Sequence, residues 1–138
     1  MFPRLITLAL GLLVAAPASA AELLMFEEDG CVWCARWDAE VAPDYANSPE
    51  GRIAPLVRYD LRRDPLPDEL ELRGRVRYTP TFVLVDDDRE VGRITGYPGK
   101  GVFWTMLETL VAKLETDHRT PLNTADVAPE APARSAGG

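Results

Sequence analysis

The sequence predicts an α/β fold of order β-α-β-α-β-β-α, a four-stranded mixed sheet with helices on both faces. Three observations carry the prediction. Short apolar runs of strand length recur at 22–26, 54–61, 81–85 and 90–95. Helix signals fill the gaps after the first two runs, and the third and fourth are separated by an acidic turn. The strongest 3.6-residue period then comes last, at 100–115. A central sheet flanked by helices accommodates this order.

The chain has 138 residues and begins with "MFPR", a short segment with one positive charge. The uncharged run "LITLALGLLVAA" follows, and "PASA" ends it with small residues in an A-x-A arrangement. This is the anatomy of a secretory signal peptide, assigned to residues 1–20 with cleavage after residue 20 or 21. The run is short of the roughly 20 apolar residues a membrane span needs. Export to the periplasm is the expectation. The tail "RTPLNTADVAPEAPARSAGG" is rich in Ala, Pro and small polar residues without an apolar period, so 118–138 is expected to be disordered. One folded domain over 21–117 remains.

Each element has a local cause. "ELLMF" (22–26) is an apolar run that reads as a buried strand, and Asp29-Gly30 breaks it. "CVWCARWDAEVAPDYA" fits a helix until Pro43 bends or ends it. "APLVRYDL" (54–61) alternates in part and reads as a second strand, parallel to the first. "LPDELELRG" has Pro67 early, acids in its first turn and Gly74 as a stop, which predicts a short helix. "TFVLVDDDREVGRITG" reads as a hairpin turning at 86–88. In "KGVFWTMLETLVAKLE" the residues Val102, Phe103, Met106, Leu107, Leu110, Val111 and Leu114 form one helical stripe.

Composition narrows the chemistry. There are 22 acidic side chains against 15 basic, a net charge of −7. Such a balance argues against nucleic acid or anionic lipid as the main partner. Cys31 and Cys34 are the two cysteines, and His118 is the sole histidine. A c-type haem attachment needs His after the second cysteine, but Ala35 stands there. A structural zinc site needs four ligands, and nothing in the spacing supplies them. A hydrolase triad is poorly served by His118. As a structural staple the pair would close too short a loop to gain much. Dithiol–disulfide exchange needs one exposed, partly ionised cysteine, and a helix N-terminus favours that charge. Cys31 stands where the loop enters the helix, and Cys34 one turn later can resolve a mixed disulfide.

A second motif, "YTPTFVLV", places Thr79 and Pro80 at the start of the third strand, where a proline is tolerated. With the C-x-x-C it makes 22–115 resemble the thioredoxin superfamily. The resemblance implies that Pro80 is cis and packs against the cysteines. It also implies that Thr79 offers its backbone to an extended substrate, and that Gly96 lies near the same surface. The extra N-terminal strand and helix of full-length thioredoxins are missing. "GCVWCARWDAEVAP", "TPTFVLV" and "VGRITGYPGKGVFW" are similar to the small periplasmic thioredoxins of bacterial sulfur-oxidation (Sox) gene clusters, the SoxS type. That branch implies a reductase of disulfide or persulfide-type adducts on partner proteins, notably the thiol carrier of thiosulfate oxidation. It implies a membrane electron donor of the thiol-transporter type, no cofactor and, without a dimerisation domain, a monomer.

Several residues depart from the family pattern. Val32-Trp33 replaces the Gly-Pro of ordinary thioredoxin, and no His lies between the cysteines, which leans away from a strong oxidant. Met25 stands where thioredoxin carries a buried acid, leaving Glu27, Glu28 or water to handle the proton. Trp33 reads equally as a partner contact or as packing, Trp37 as packing, and Trp104 as core or groove wall. Tyr97 reads as active-site rim or as a turn residue. Arg36 and the alternating Arg73, Arg75 and Arg77 read first as solvated surface, although the latter three could attract an acidic partner or an anionic sulfur group. The rival functions are a thiol oxidase or isomerase of disulfide formation, and a non-catalytic binding module.

Overall fold

The structure, a computed structural model, describes residues 21–119. Residues 1–20, read above as a signal peptide, and residues 120–138 of the expected tail lie outside the described residues. The elements are β1 (Glu22–Glu27), α1 (Val32–Glu40), α2 (Ala42–Tyr45), α3 (Pro49–Ile53), β2 (Leu56–Asp60), β3 (Thr81–Asp86), β4 (Arg89–Thr95) and α4 (Lys100–Arg119).

The strands form one sheet in the order β2-β1-β3-β4. β1 is parallel to β2 and antiparallel to β3, and β3 is antiparallel to β4. β1 is therefore interior, which explains its unbroken apolar run: Leu23, Leu24, Met25 and Phe26 are all buried. Alternation sorts them. Leu23 and Met25, with Phe82 and Leu84 of β3, face a core shared with Trp37 of α1 and Phe103 and Leu107 of α4. Leu24, Phe26, Val83 and Val85 face the other side. The β3–β4 hairpin turns tightly at Asp87 and Asp88, both at positive φ, as a two-residue loop of matching twist requires.

The predicted helix at 67–74 does not form, so the observed order is β-α-α-α-β-β-β-α. The second face of the sheet is covered by an irregular segment, residues 61–80, instead of a helix. Leu70 and Leu72 are two apart, and both pack with Val76 on the Leu24–Phe26 side. Period-two packing outweighs the local helix signals. Hydrogen bonds from Glu71 N–H to the Asp88 carbonyl (2.8 Å) and from Glu90 N–H to the Glu71 carbonyl (3.0 Å) fix the segment as a strand-like edge. Burial would push the Glu90 carboxyl upward. Its bonds from Arg93 (2.7 and 2.5 Å) and the Arg73 N–H (2.7 Å) outweigh this and hold it below the usual range.

Two further differences concern helices. The stretch after α1 breaks into α2 and α3. Ser48 caps α3 by accepting from Gly51 N–H at 2.9 Å, and Pro49 starts it. In α4 the buried stripe is Phe103, Leu107, Leu110, Val111 and Leu114, whereas Val102 and Met106 are exposed.

Candidate active site

β1 and β3 lie side by side with Phe26 opposite Thr81. The loop that leaves β1 and the loop that enters β3 therefore meet at one end of the sheet. In the first, Gly30 takes φ 77° and turns the chain into α1. Cys31 is the N-cap of α1, and its Sγ accepts from Cys34 N–H at 3.1 Å. Cys31 is half-buried and Cys34 buried, and the two form a disulfide with Cα atoms 5.3 Å apart. The accessible sulfur is the one at the helix N-terminus, where the dipole and free N–H groups favour a thiolate.

In the second loop the Thr79–Pro80 bond is cis, and Pro80 is buried. Gly96, at φ 81°, donates its N–H to the Pro80 carbonyl at 2.7 Å, so β4 steadies the proline loop. Glu28 joins the loops. Its carbonyl accepts from Cys31 N–H (3.2 Å), one carboxylate oxygen accepts from Thr79 Oγ1 (3.2 Å), and the other accepts from Arg62 (2.9 Å).

A cleft of about 430 Å³ opens beside the disulfide, lined by both cysteines with Glu27, Glu28, Asp38 and Asp60 among others. Arg58 links two of these carboxylates, donating to Glu27 at 2.7 Å and Asp38 at 2.5 Å, with its guanidinium 5.6 Å from the Trp37 ring centre. Met25, where an acid stands in ordinary thioredoxin, is wholly buried among apolar side chains. Carboxylates near the cysteines are thus at the rim of the cleft and not beneath it.

Trp33 is 52 % exposed beside Cys31, and Val32 and Tyr78 are more exposed still. Arg36 lies 5.8 Å from the Trp33 ring centre and bonds Glu40 at 2.9 Å, and Glu40 accepts from the Tyr97 hydroxyl at 2.6 Å. Tyr97 and Arg36 hold the Glu40 carboxyl below its usual range, while burial and that same bond raise Tyr97 to about 12. Tyr97 is therefore a buried brace and Trp37 is core, whereas Trp104 packs half-buried against Tyr45 and Phe103. Sequence spacing could have shown the Arg36–Glu40 pair at i, i+4. The Glu28–Thr79 and Arg58 contacts join residues tens of positions apart and become visible only in the register of the sheet.

A family model described as a thioredoxin-like domain matches residues 12–110. The chain belongs to the thioredoxin-like family. Among solved structures it is similar to the periplasmic thioredoxin SoxS from Paracoccus pantotrophus, determined in its reduced form. The two are 54 % identical with a TM-score of 0.65, over 68 % of this chain and 98 % of that one. No match was found among curated proteins. A thioredoxin-like fold with a C-x-x-C disulfide at a helix N-terminus makes this chain a thiol–disulfide oxidoreductase. Among the described residues, no helix is long and apolar enough to cross a membrane.

Proposed function

We propose that the protein is a periplasmic reductase, exported by residues 1–20, that acts on the thiol-carrier protein of thiosulfate oxidation. The observation that carries this reading is the pairing of the Cys31–Cys34 disulfide with the cis Thr79–Pro80 loop, in a chain 54 % identical to a periplasmic SoxS. Cys31 thiolate attacks a partner disulfide or persulfide-type adduct and displaces the first sulfur as a thiolate. Cys34 then loses its proton and attacks Cys31 Sγ, displacing the second. Two electrons pass to the partner, and the protein is left as the Cys31–Cys34 disulfide. Thr79, placed by the cis Pro80, holds the partner strand by backbone hydrogen bonds. Trp33 supplies an apolar contact beside the sulfurs, and Gly96 supports Pro80. A membrane thiol transporter returns the electrons, and the protein works as a monomer without a cofactor.

The test is the reduction potential of the pair, measured by equilibration with defined thiol buffers. A value near about −270 mV is expected for a reductase. A value near about −120 mV would make the protein an oxidant that introduces disulfides, and the reductase reading would be abandoned.

A further inference from the structure

Among the described residues, most arginines are occupied. Arg36, Arg58, Arg62, Arg63, Arg89 and Arg93 each pair with a carboxylate. Arg52 bonds the Asn47 carbonyl, and Arg73 interacts with Glu90. Among the described residues, Arg75 and Arg77 have exposed guanidinium groups with no such contact. In a chain with seven more acids than bases, two arginines left without an acid of their own chain invite one from elsewhere.

Their place gives the vacancy meaning. Val76 between them packs inward against the Leu24–Phe26 core, so Arg75 and Arg77 both point away from it. Among the described residues, the backbone N–H groups of residues 75–79 make no hydrogen bond. The segment is thus an edge with free donors, and it leads through a bend at Tyr78 and Thr79 to the cis Pro80. Arg77 is two residues from Thr79 and Arg75 four, within about 7 and 14 Å along an extended chain. The cleft beside the disulfide is lined by Glu27, Glu28, Asp29, Asp38 and Asp60, which pair with Arg58, Arg62 and Arg63. Those five acids meet three arginines and keep a net negative charge, whereas, among the described residues, Arg75 and Arg77 are two positive charges with no such partner.

We infer that residues 75–77 select partners whose reactive cysteine is flanked by acidic residues at alternate positions, paired with Arg75 and Arg77 along this edge. A strand laid on the edge presents every second side chain to one face, about 7 Å apart, which matches the arginine spacing. This inference deepens the proposed reductase function and rests on it.

Prereduced protein is mixed in single turnovers with three peptides that differ only beside one cysteine. That cysteine is held as a mixed disulfide with 2-mercaptoethanol and flanked at alternate positions by Glu, Gln or Lys. Each turnover reduces one mixed disulfide to two thiols and oxidises Cys31 and Cys34. The Glu peptide is expected to react about three- to tenfold faster than the Gln peptide, and the Lys peptide slowest, with the differences shrinking at high salt. Arg75→Glu with Arg77→Glu should reverse the order, and the double glutamine variant should flatten it. Neutral 2-hydroxyethyl disulfide serves as control. If it is reduced while the Glu and Gln peptides react alike at low salt, the inference is wrong and the reductase reading stands. If it is not reduced, both fall.

Discussion

Replacing Cys34 by serine leaves a sulfur that can attack but nothing to release the product. Cys34→Ser is therefore expected to accumulate a mixed disulfide with its partner, visible as an added mass that a reductant removes, whereas Cys31→Ser should abolish turnover without trapping. A binding module with a structural disulfide would retain its partner in the double serine variant, and that result would sink the enzymatic roles of both residues. A second residue-scale expectation concerns Tyr97. Its hydroxyl, buried and bonded to Glu40, is raised to about 12. Absorbance titration of Tyr97→Phe should lack an ionisation step near that pH. A step that persists would mean that another tyrosine produces it. At this scale the sequence was a good guide where chemistry is local. Cys31, Cys34, Thr79, Pro80 and Gly96 all stand within short motifs, and the structure gathers them at one end of the sheet. The Glu28 clasp on Thr79 spans 51 positions and has no local signature.

Among the elements, α3 depends on a glycine for a steric reason. A Cβ at Gly51 would fall 1.9 Å from the Tyr45 carbonyl oxygen, a backbone atom that cannot step aside. Gly51→Ala is expected to cost about 1–3 kcal/mol in chemical denaturation, despite the better helix propensity of alanine. A neutral or stabilising result would show that the α2–α3 corner opens readily. The edge at residues 71–74 depends on Glu90. Its folded-state pKa lies below that of the unfolded chain, so its contribution is full above the ordinary carboxylate range and fades as pH falls through the lowered value. Glu90→Gln should therefore lose about 1–2 kcal/mol near neutral pH and progressively less in acid. A loss that stays constant with pH would assign the effect to packing. The sequence announced a helix here because Pro67, the early acids and Gly74 are all helix signals. A helix of so few residues is marginal on its own, and the even spacing of Leu70 and Leu72 against the sheet outweighed the propensities.

For the whole molecule, redox state and stability are linked. The disulfide spans a sequence separation of 3, a loop short enough to limit its entropic gain to about 2 kcal/mol. A reductase should be somewhat more stable oxidised than reduced, with calorimetric midpoints apart by less than about 15 °C. A strong oxidant owes its potential to a stabilised reduced form, so a higher midpoint after reduction would contradict the proposed direction of electron flow. The parallel β1–β2 pair and the antiparallel β3–β4 hairpin were legible because apolar runs and connection lengths constrain them, whereas the β1–β3 pairing that closes the sheet had no such signal. The one-sided distribution of helices was not legible either, since it depends on how residues 61–80 settle against a sheet face that no single window of sequence contains.

That segment divides its labour residue by residue. Leu70, Leu72 and Val76 are held by the core, while Arg75, Arg77 and Tyr78 contribute nothing to it. Heritable change at the outward positions is thereby uncoupled from the thermodynamics of folding. A lineage carrying this scaffold can drift toward new clients by rewriting three codons, with no compensating substitutions inside. A library randomised at 75, 77 and 78 should show a narrow spread of Tm and a wide spread of preferred peptides.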